Sequence, residues 1–235
     1  MRTIKSGNAA VIGLALLNVV LWLVLPPNPE WLSAPEEIAE TIGEIFSSTA
    51  MILMAIAIFL STRPRWLEKQ FGGLDKMYQT HRQVAIVALL LLLAHFFVIP
   101  ASGVGGIGLT FGKLALFGII FIVLLTLAPR IPLISRWLNL TYDKWRIVHK
   151  LIGVFFIFGF LHFLMVEPIS LGTIPGIYMV AISVLGMVAY AYKLLIAGFL
   201  RPVKEYVVEQ VNHLNGTCVE VVLKPAGAPI PYQAG

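Results

Sequence analysis

HRQVAIVALLLLLAH, residues 81–95, is the stretch that decides the fold. Between its two histidines lie Arg82, Gln83 and then eleven apolar residues without interruption. A helix rises about 1.5 Å per residue, so His81 and His95 stand about 21 Å apart along its axis. A second stretch has the same form: HKLIGVFFIFGFLH, residues 149–162, where His149 and His162 enclose an equally apolar run and lie about 20 Å apart. Such runs belong in lipid, where a spanning helix needs about 20 mainly apolar residues.

Reading outward, six segments qualify as spans once their flanks are counted. They centre on Ala9–Leu25, Ile45–Leu60, Val84–Ile99, Leu109–Ala128, Ile147–Val166 and Ile174–Leu200, each bounded by Pro, Gly or a charge cluster. The apolar run of the first is longer than the roughly 7–15 residues of a signal peptide and has no small-residue cleavage site after it, so it reads as a retained span. Composition agrees: of 235 residues 58% are hydrophobic and 12% charged, with a mean hydropathy of +0.87, against about 45–50% and about 25% in a soluble domain. A soluble enzyme, a disordered chain and a nucleic-acid binder are poorly supported. The single cysteine, Cys218, excludes an intrachain disulfide and an iron–sulfur cluster held by this chain alone.

Six spans put 16 of the 17 Lys and Arg on one side, leaving only Lys113 on the other. The opposite side carries Glu30, Glu36, Glu37, Glu40, Glu44 and Glu167. By the positive-inside rule the basic side is cytoplasmic. The expectation is a multi-pass protein of the cell inner (plasma) membrane with both termini in the cytoplasm.

Spans three and five run in the same direction, so His81 and His149 lie near the cytoplasmic edge and His95 and His162 nearer the outside. Two imidazoles facing one another across a bundle make a six-coordinate haem site. The helical phase is uneven. At about 100° per residue, 14 residues fall about 40° short of four turns, which keeps His81 and His95 on one face, but 13 residues fall about 140° short. Either two haems are laterally offset or span five is locally overwound, which Gly153 and Gly159 would permit. The alternatives are that these histidines are interfacial polar residues, or that they line a proton path or a haem-free transporter.

At these residues the sequence resembles the ferric reductase-like transmembrane domain shared by NADPH oxidases and ferric reductases. The two pairs, His81/His95 and His149/His162, match that family's haem-ligand spacing. The segment Arg63-Pro64-Arg65-Trp66-Leu67-Glu68, with Gly72-Gly73-Leu74-Asp75-Lys76-Met77-Tyr78 and His81-Arg82, looks like bacterial members. The resemblance implies an all-α six-helix transmembrane bundle with two stacked b-type haems. One would be held by His81 and His149, the other by His95 and His162. It implies electron transfer across the membrane from a cytosolic flavin/NAD(P)H dehydrogenase to an extracytoplasmic acceptor, ferric iron or dioxygen. Phe155 and Phe156 would then lie between the haem edges, or simply pack. Arg82, Lys150 and Arg146 would pair with haem propionates, or serve only the positive-inside pattern.

Composition changes near Leu200. Residues 1–200 read as the haem-binding domain and 201–235 as the start of a cytosolic domain. Lys204–Val211 and Thr217–Leu223 are β-rich runs flanking Asn215-Gly216, the signal of a hairpin. Lys204–Pro225 resembles the first two strands of the family's flavin-binding β-barrel, and Tyr232-Gln233-Ala234-Gly235 the lead-in to another. The parts that would grip FAD and NAD(P)H are expected in a dehydrogenase portion beyond these residues or in a separate protein. The alternative function is a haem-binding subunit serving a partner reductase, which this tail argues against. His213, in the hairpin, is given no role.

On the outer side the sequence departs from the oxidases. Ile99, four residues after His95, is apolar, and Lys113 is the one basic residue there. The acidic stretch Glu30–Glu44 is expected to be a loop, either attracting ferric complexes or merely solvated. Gly103-Val104-Gly105-Gly106-Ile107-Gly108 satisfies G-x-G-x-x-G, but without a βαβ context it reads as an outer turn. Trp22, Trp31 and Trp66 read as interfacial aromatics.

Overall fold

The computed structural model describes residues 5–99, 106–128, 141–200 and 204–230. The helices are α1 (Ser6–Val24), α2 (Pro35–Ser61), α3 (Arg65–Phe71), α4 (Leu74–Val98), α5 (Ile107–Leu127), α6 (Tyr142–His149), α7 (Ile152–Met165) and α8 (Ile174–Ala191). A π-helical turn over Tyr192–Ile196 extends α8. Six stretches are long and apolar enough to cross a membrane: α1, α2, α4, α5, Tyr142–Met165 and Ile174–Ile196. The protein is a multi-pass membrane protein. Leu16, Leu23, Leu90, Phe97, Phe121 and Leu185 stand exposed on these helices, as side chains that meet lipid must.

The second span, α2, is the hub. Its residues from Ser48 to Ile58 are all buried, and it packs against α1, α4, α7 and α8. Its start differs from the sequence expectation: Glu36 to Glu44 form its first turns and are not a loop. Pro35 suits the first helical position, and Glu36 and Glu37 face the positive end of the helix dipole. Short α3 ends where Gly72 adopts φ +85°. The Gly73 amide there donates to the Glu68 carbonyl at 3.0 Å, a Schellman closure that a side chain at Gly72 would strain.

The α1–α2 seam is polar at its centre. Fully buried Asn18 donates from Nδ2 to Ser48 Oγ (2.9 Å) and Thr49 Oγ1 (3.0 Å). Trp22 Nε1 donates to Ser48 Oγ at 3.2 Å. Side-chain hydrogen bonds of this kind hold helices together where lipid supplies no hydrophobic drive. Trp22 is therefore an interior residue at 1% exposure, not an interfacial one, whereas Trp66 is 69% exposed.

Met1–Leu194 and Leu195–Gly235 form two compact units. In the second, β1 (Tyr206–His213) pairs antiparallel with β2 (Val219–Pro225), with a bulge between Val208 and Gln210. The turn is longer than the two residues that Asn-Gly suggests. Leu214 N–H closes it on the Cys218 carbonyl, and Asn215 Oδ1 accepts from Thr217 N, Thr217 Oγ1 and Cys218 N at 2.9–3.0 Å. The Asn side chain is thus used as an Asx turn. Of the glycine motif, Gly103–Gly105 lie outside the described residues and Gly108 lies in the first turn of α5. Tyr232–Gly235 also lie outside them.

Candidate functional site

The four span histidines sit on two helical stretches: His81 and His95 on α4, His149 at the end of α6 and His162 on α7. Among the described residues α4 packs along α2 and α7 along α5, but α4 and α7 do not pack along each other. The histidines are only half-buried. His81 lies near enough to His149, and His95 to His162, for a charge on one ring to be felt by the other.

Three of the four rings are held in the same way. His81 Nδ1 lies 2.8 Å from the Ala57 carbonyl, His95 Nδ1 2.9 Å from the Gly43 carbonyl and His162 Nδ1 2.9 Å from the Gly108 carbonyl. A helical carbonyl has a second lone pair to accept such a bond. In the neutral ring Nδ1 is then the donor, and Nε2 keeps its lone pair free. His81 and His95 are 14 residues apart, and so are their acceptors Ala57 and Gly43 on antiparallel α2. One helix contact therefore sets both rings in phase.

His162 depends on small residues of α5. A Cβ at Gly112 would come within 2.8 Å of its Nδ1, so only glycine leaves room for the ring. His149 is held differently. Its Nδ1 is buried without a partner, and its ring stacks on Trp145 at 4.9 Å between centroids. Trp145 in turn donates from Nε1 to Thr126 Oγ1 of α5 at 3.1 Å.

The phase conflict in span five is met by overwinding. Lys150, Leu151, Gly153 and Val154 donate to carbonyls three residues back, at 2.9–3.2 Å. Lys150 (φ −63°, ψ −24°) and Leu151 (φ −63°, ψ −15°) have 3₁₀-like torsions. Each residue wound at about 120° instead of about 100° gains about 20°, so the stretch recovers a large part of the 140° or so that was missing. Tyr190 of α8 fixes this break. Its hydroxyl donates to the Lys150 carbonyl at 2.8 Å, and its ring lies where a Cβ at Gly153 would be, 2.2 Å from Cε2.

Of the other expected residues, Phe156 is buried in the core at 1% exposure. Phe155 packs over Gly118 of α5 and edge-on to Phe158. Arg146 pairs with Asp143 at 3.4 Å and lies 5.9 Å over the Tyr142 ring. Arg82 and Lys150 are exposed. Sequence reading gave no role at the histidines to Ala57, Gly43, Gly108, Gly112, Trp145 or Tyr190. Only Gly108-x3-Gly112, a small-xxx-small pattern of close helix approach, offered a signal.

The donor set has a definite chemistry. A metal ion held by side chains alone needs three or four ligands, and among the described residues no group of three or more His, Cys, Asp or Glu forms such a cluster. Imidazoles that keep Nε2 unbonded, as those of His81, His95 and His162 do when Nδ1 donates, would instead suit an iron porphyrin. Nδ1–H bonds to carbonyls are the usual outer support of a ligating histidine.

Fold and site thus define a multi-pass membrane bundle that carries two histidines on each of two spans. Residues 46–105 match the family described as ferric reductase like transmembrane component, a stretch that takes in much of α2, all of α3 and α4, and both His81 and His95. His149 and His162 lie beyond it. No curated protein matches the chain. The family points to oxidoreductase activity and to electron transfer across a membrane.

Proposed function

We propose that this chain conducts electrons across the plasma membrane through two b-type haems, from a cytosolic flavin/NAD(P)H dehydrogenase to an acceptor outside, ferric iron or dioxygen. His81 and His149 would hold the haem near the cytoplasmic face, and His95 and His162 the one near the outer face. A haem held at each pair would supply a one-electron centre at that depth of the bundle. The chain's own residues aim the imidazoles, and Phe156, Ile52, Met51 and their neighbours keep water out of the interior. The positive-inside distribution supports cytoplasmic termini. Val207, Val211, Val221 and Leu223 of the hairpin are exposed, which fits strands that pack into a larger flavin-binding barrel.

The observation that carries this reading is that three of the four span histidines, His81, His95 and His162, have Nδ1 committed to a backbone carbonyl of a neighbouring span. The test is haem content of the purified protein, by extraction and by absorption spectrum. Two low-spin, bis-histidine b-type haems per chain are expected. A protein that neither contains nor takes up haem favours a histidine-lined transporter and ends the proposal.

A further inference from the structure

Glu44 was read with the acidic outer residues, yet it is an interior group, 7% exposed. Its carboxylate accepts three hydrogen bonds from the connection between α7 and α8. They come from Ile169 N at 3.0 Å, Ser170 N at 3.3 Å and Ser170 Oγ at 2.5 Å. Three donors and no acceptor suit the ionised form. The receiving loop is itself fixed. The Ser170 carbonyl accepts from Thr173 N (3.0 Å) and Thr173 Oγ1 (2.7 Å), and it lies 2.1 Å from where a Cβ at Gly176 would be.

The position of Glu44 in the chain gives this latch a consequence. The carbonyl that receives His95 Nδ1 is that of Gly43, and the nitrogen of that same planar peptide unit belongs to Glu44. Fixing the Glu44 side chain therefore fixes the peptide that orients His95. The other end of the latch follows His162 by only seven residues, and the helix turn between them is closed by Val166 N–H on the His162 carbonyl at 3.0 Å. One carboxylate thus ties the helix that aims His95 to the segment that follows His162.

We infer that Glu44 is a positioning residue of the outer histidine pair, and that its buried negative charge lowers the reduction potential of the haem held there. A nearby fixed charge stabilises the ferric state in this direction. The inference rests on the proposed haem sites, and its test separates the two. In Glu44→Gln the outer haem potential should rise while the inner one stays, in redox titrations of the purified protein. Ser170→Ala keeps the carboxylate and removes one donor. It should speed amide exchange over residues 166–173 without raising the potential. Glu44→Ala should speed exchange there further, even in haem-free protein.

Unchanged exchange in Glu44→Ala would overturn the latch. Faster exchange with an unmoved outer potential and spectrum in Glu44→Gln would leave a mere structural tie and overturn the positioning role. Haem missing from the unaltered protein would instead refute the parent reading and, with it, any role for Glu44 toward a haem.

Discussion

The two histidine levels are built on different terms. At the outer level both rings are tied to backbone, His95 to Gly43 and His162 to Gly108, and glycine clears the space for one of them. At the inner level only His81 is tied. His149 leans on Trp145 with its Nδ1 unpartnered and sits at a break in its span. The outer pair is pre-set by helix register, whereas the inner pair depends on side chains that can relax. A buried polar atom without a partner is costly, and no hydrogen bond to Nδ1 holds the His149 ring, so it is the ring most free to take a new orientation.

This contrast can be broken most severely by removing a ligand. His95→Ala or His162→Ala should cut haem content from two per chain to one, leaving a haem that a reductant on the cytoplasmic side still reduces. His81→Ala or His149→Ala should instead block entry of electrons from that side. Haem extraction with redox titration reads both results, and retention of two haems in the outer variants would undo the pairing.

A milder step crowds the rings without removing them. Gly112→Ala pushes a methyl group into the His162 ring, and overpacking of this kind costs about 1–3 kcal/mol. Outer haem occupancy should fall while the inner haem stays. Gly153→Ala meets the Tyr190 ring and should do the converse, disturbing the inner spectrum alone. Equal loss at both levels in either variant would mean that the levels are not independent.

Smaller effects should come from the supports of His149. Tyr190→Phe removes one hydrogen bond from the break, worth about 0.5–1.5 kcal/mol. It should broaden the inner haem's spectroscopic signature with little loss of haem. Trp145→Phe keeps an aromatic ring beside His149 and loses only the bond to Thr126. Its effect should be smaller than that of Trp145→Ala, as read by thermal denaturation and by the spectrum. If the two Trp145 variants behave alike, stacking does not orient the ring.

What was legible in the sequence follows from where the information lies. Six spans and the in-phase pair His81/His95 are local patterns, apolar length and a 14-residue spacing, and the helices follow them. The overwinding of span five could be expected as a need, because the spacing of His149 and His162 does not suit a regular helix. Its place could not, since the break is held by Tyr190, some 40 residues away. The acceptors of the histidines are main-chain carbonyls, which leave no mark in side-chain identity. Glu44 and Trp22 were assigned to the surface because charge and aromaticity at a span edge usually mean that. In the fold each meets buried partners, Ser170 and Ser48, contributed by another helix or loop.

The central claim is that electrons cross the bilayer by way of two histidine levels. It is tested most directly with the haem-loaded protein in sealed vesicles that contain ferricyanide, with a membrane-impermeant reductant added outside. The account predicts that the trapped ferricyanide is reduced at a rate set by the protein and that His95→Ala abolishes this rate. Reduction no faster than in protein-free vesicles, or a rate unchanged in His95→Ala, would contradict it.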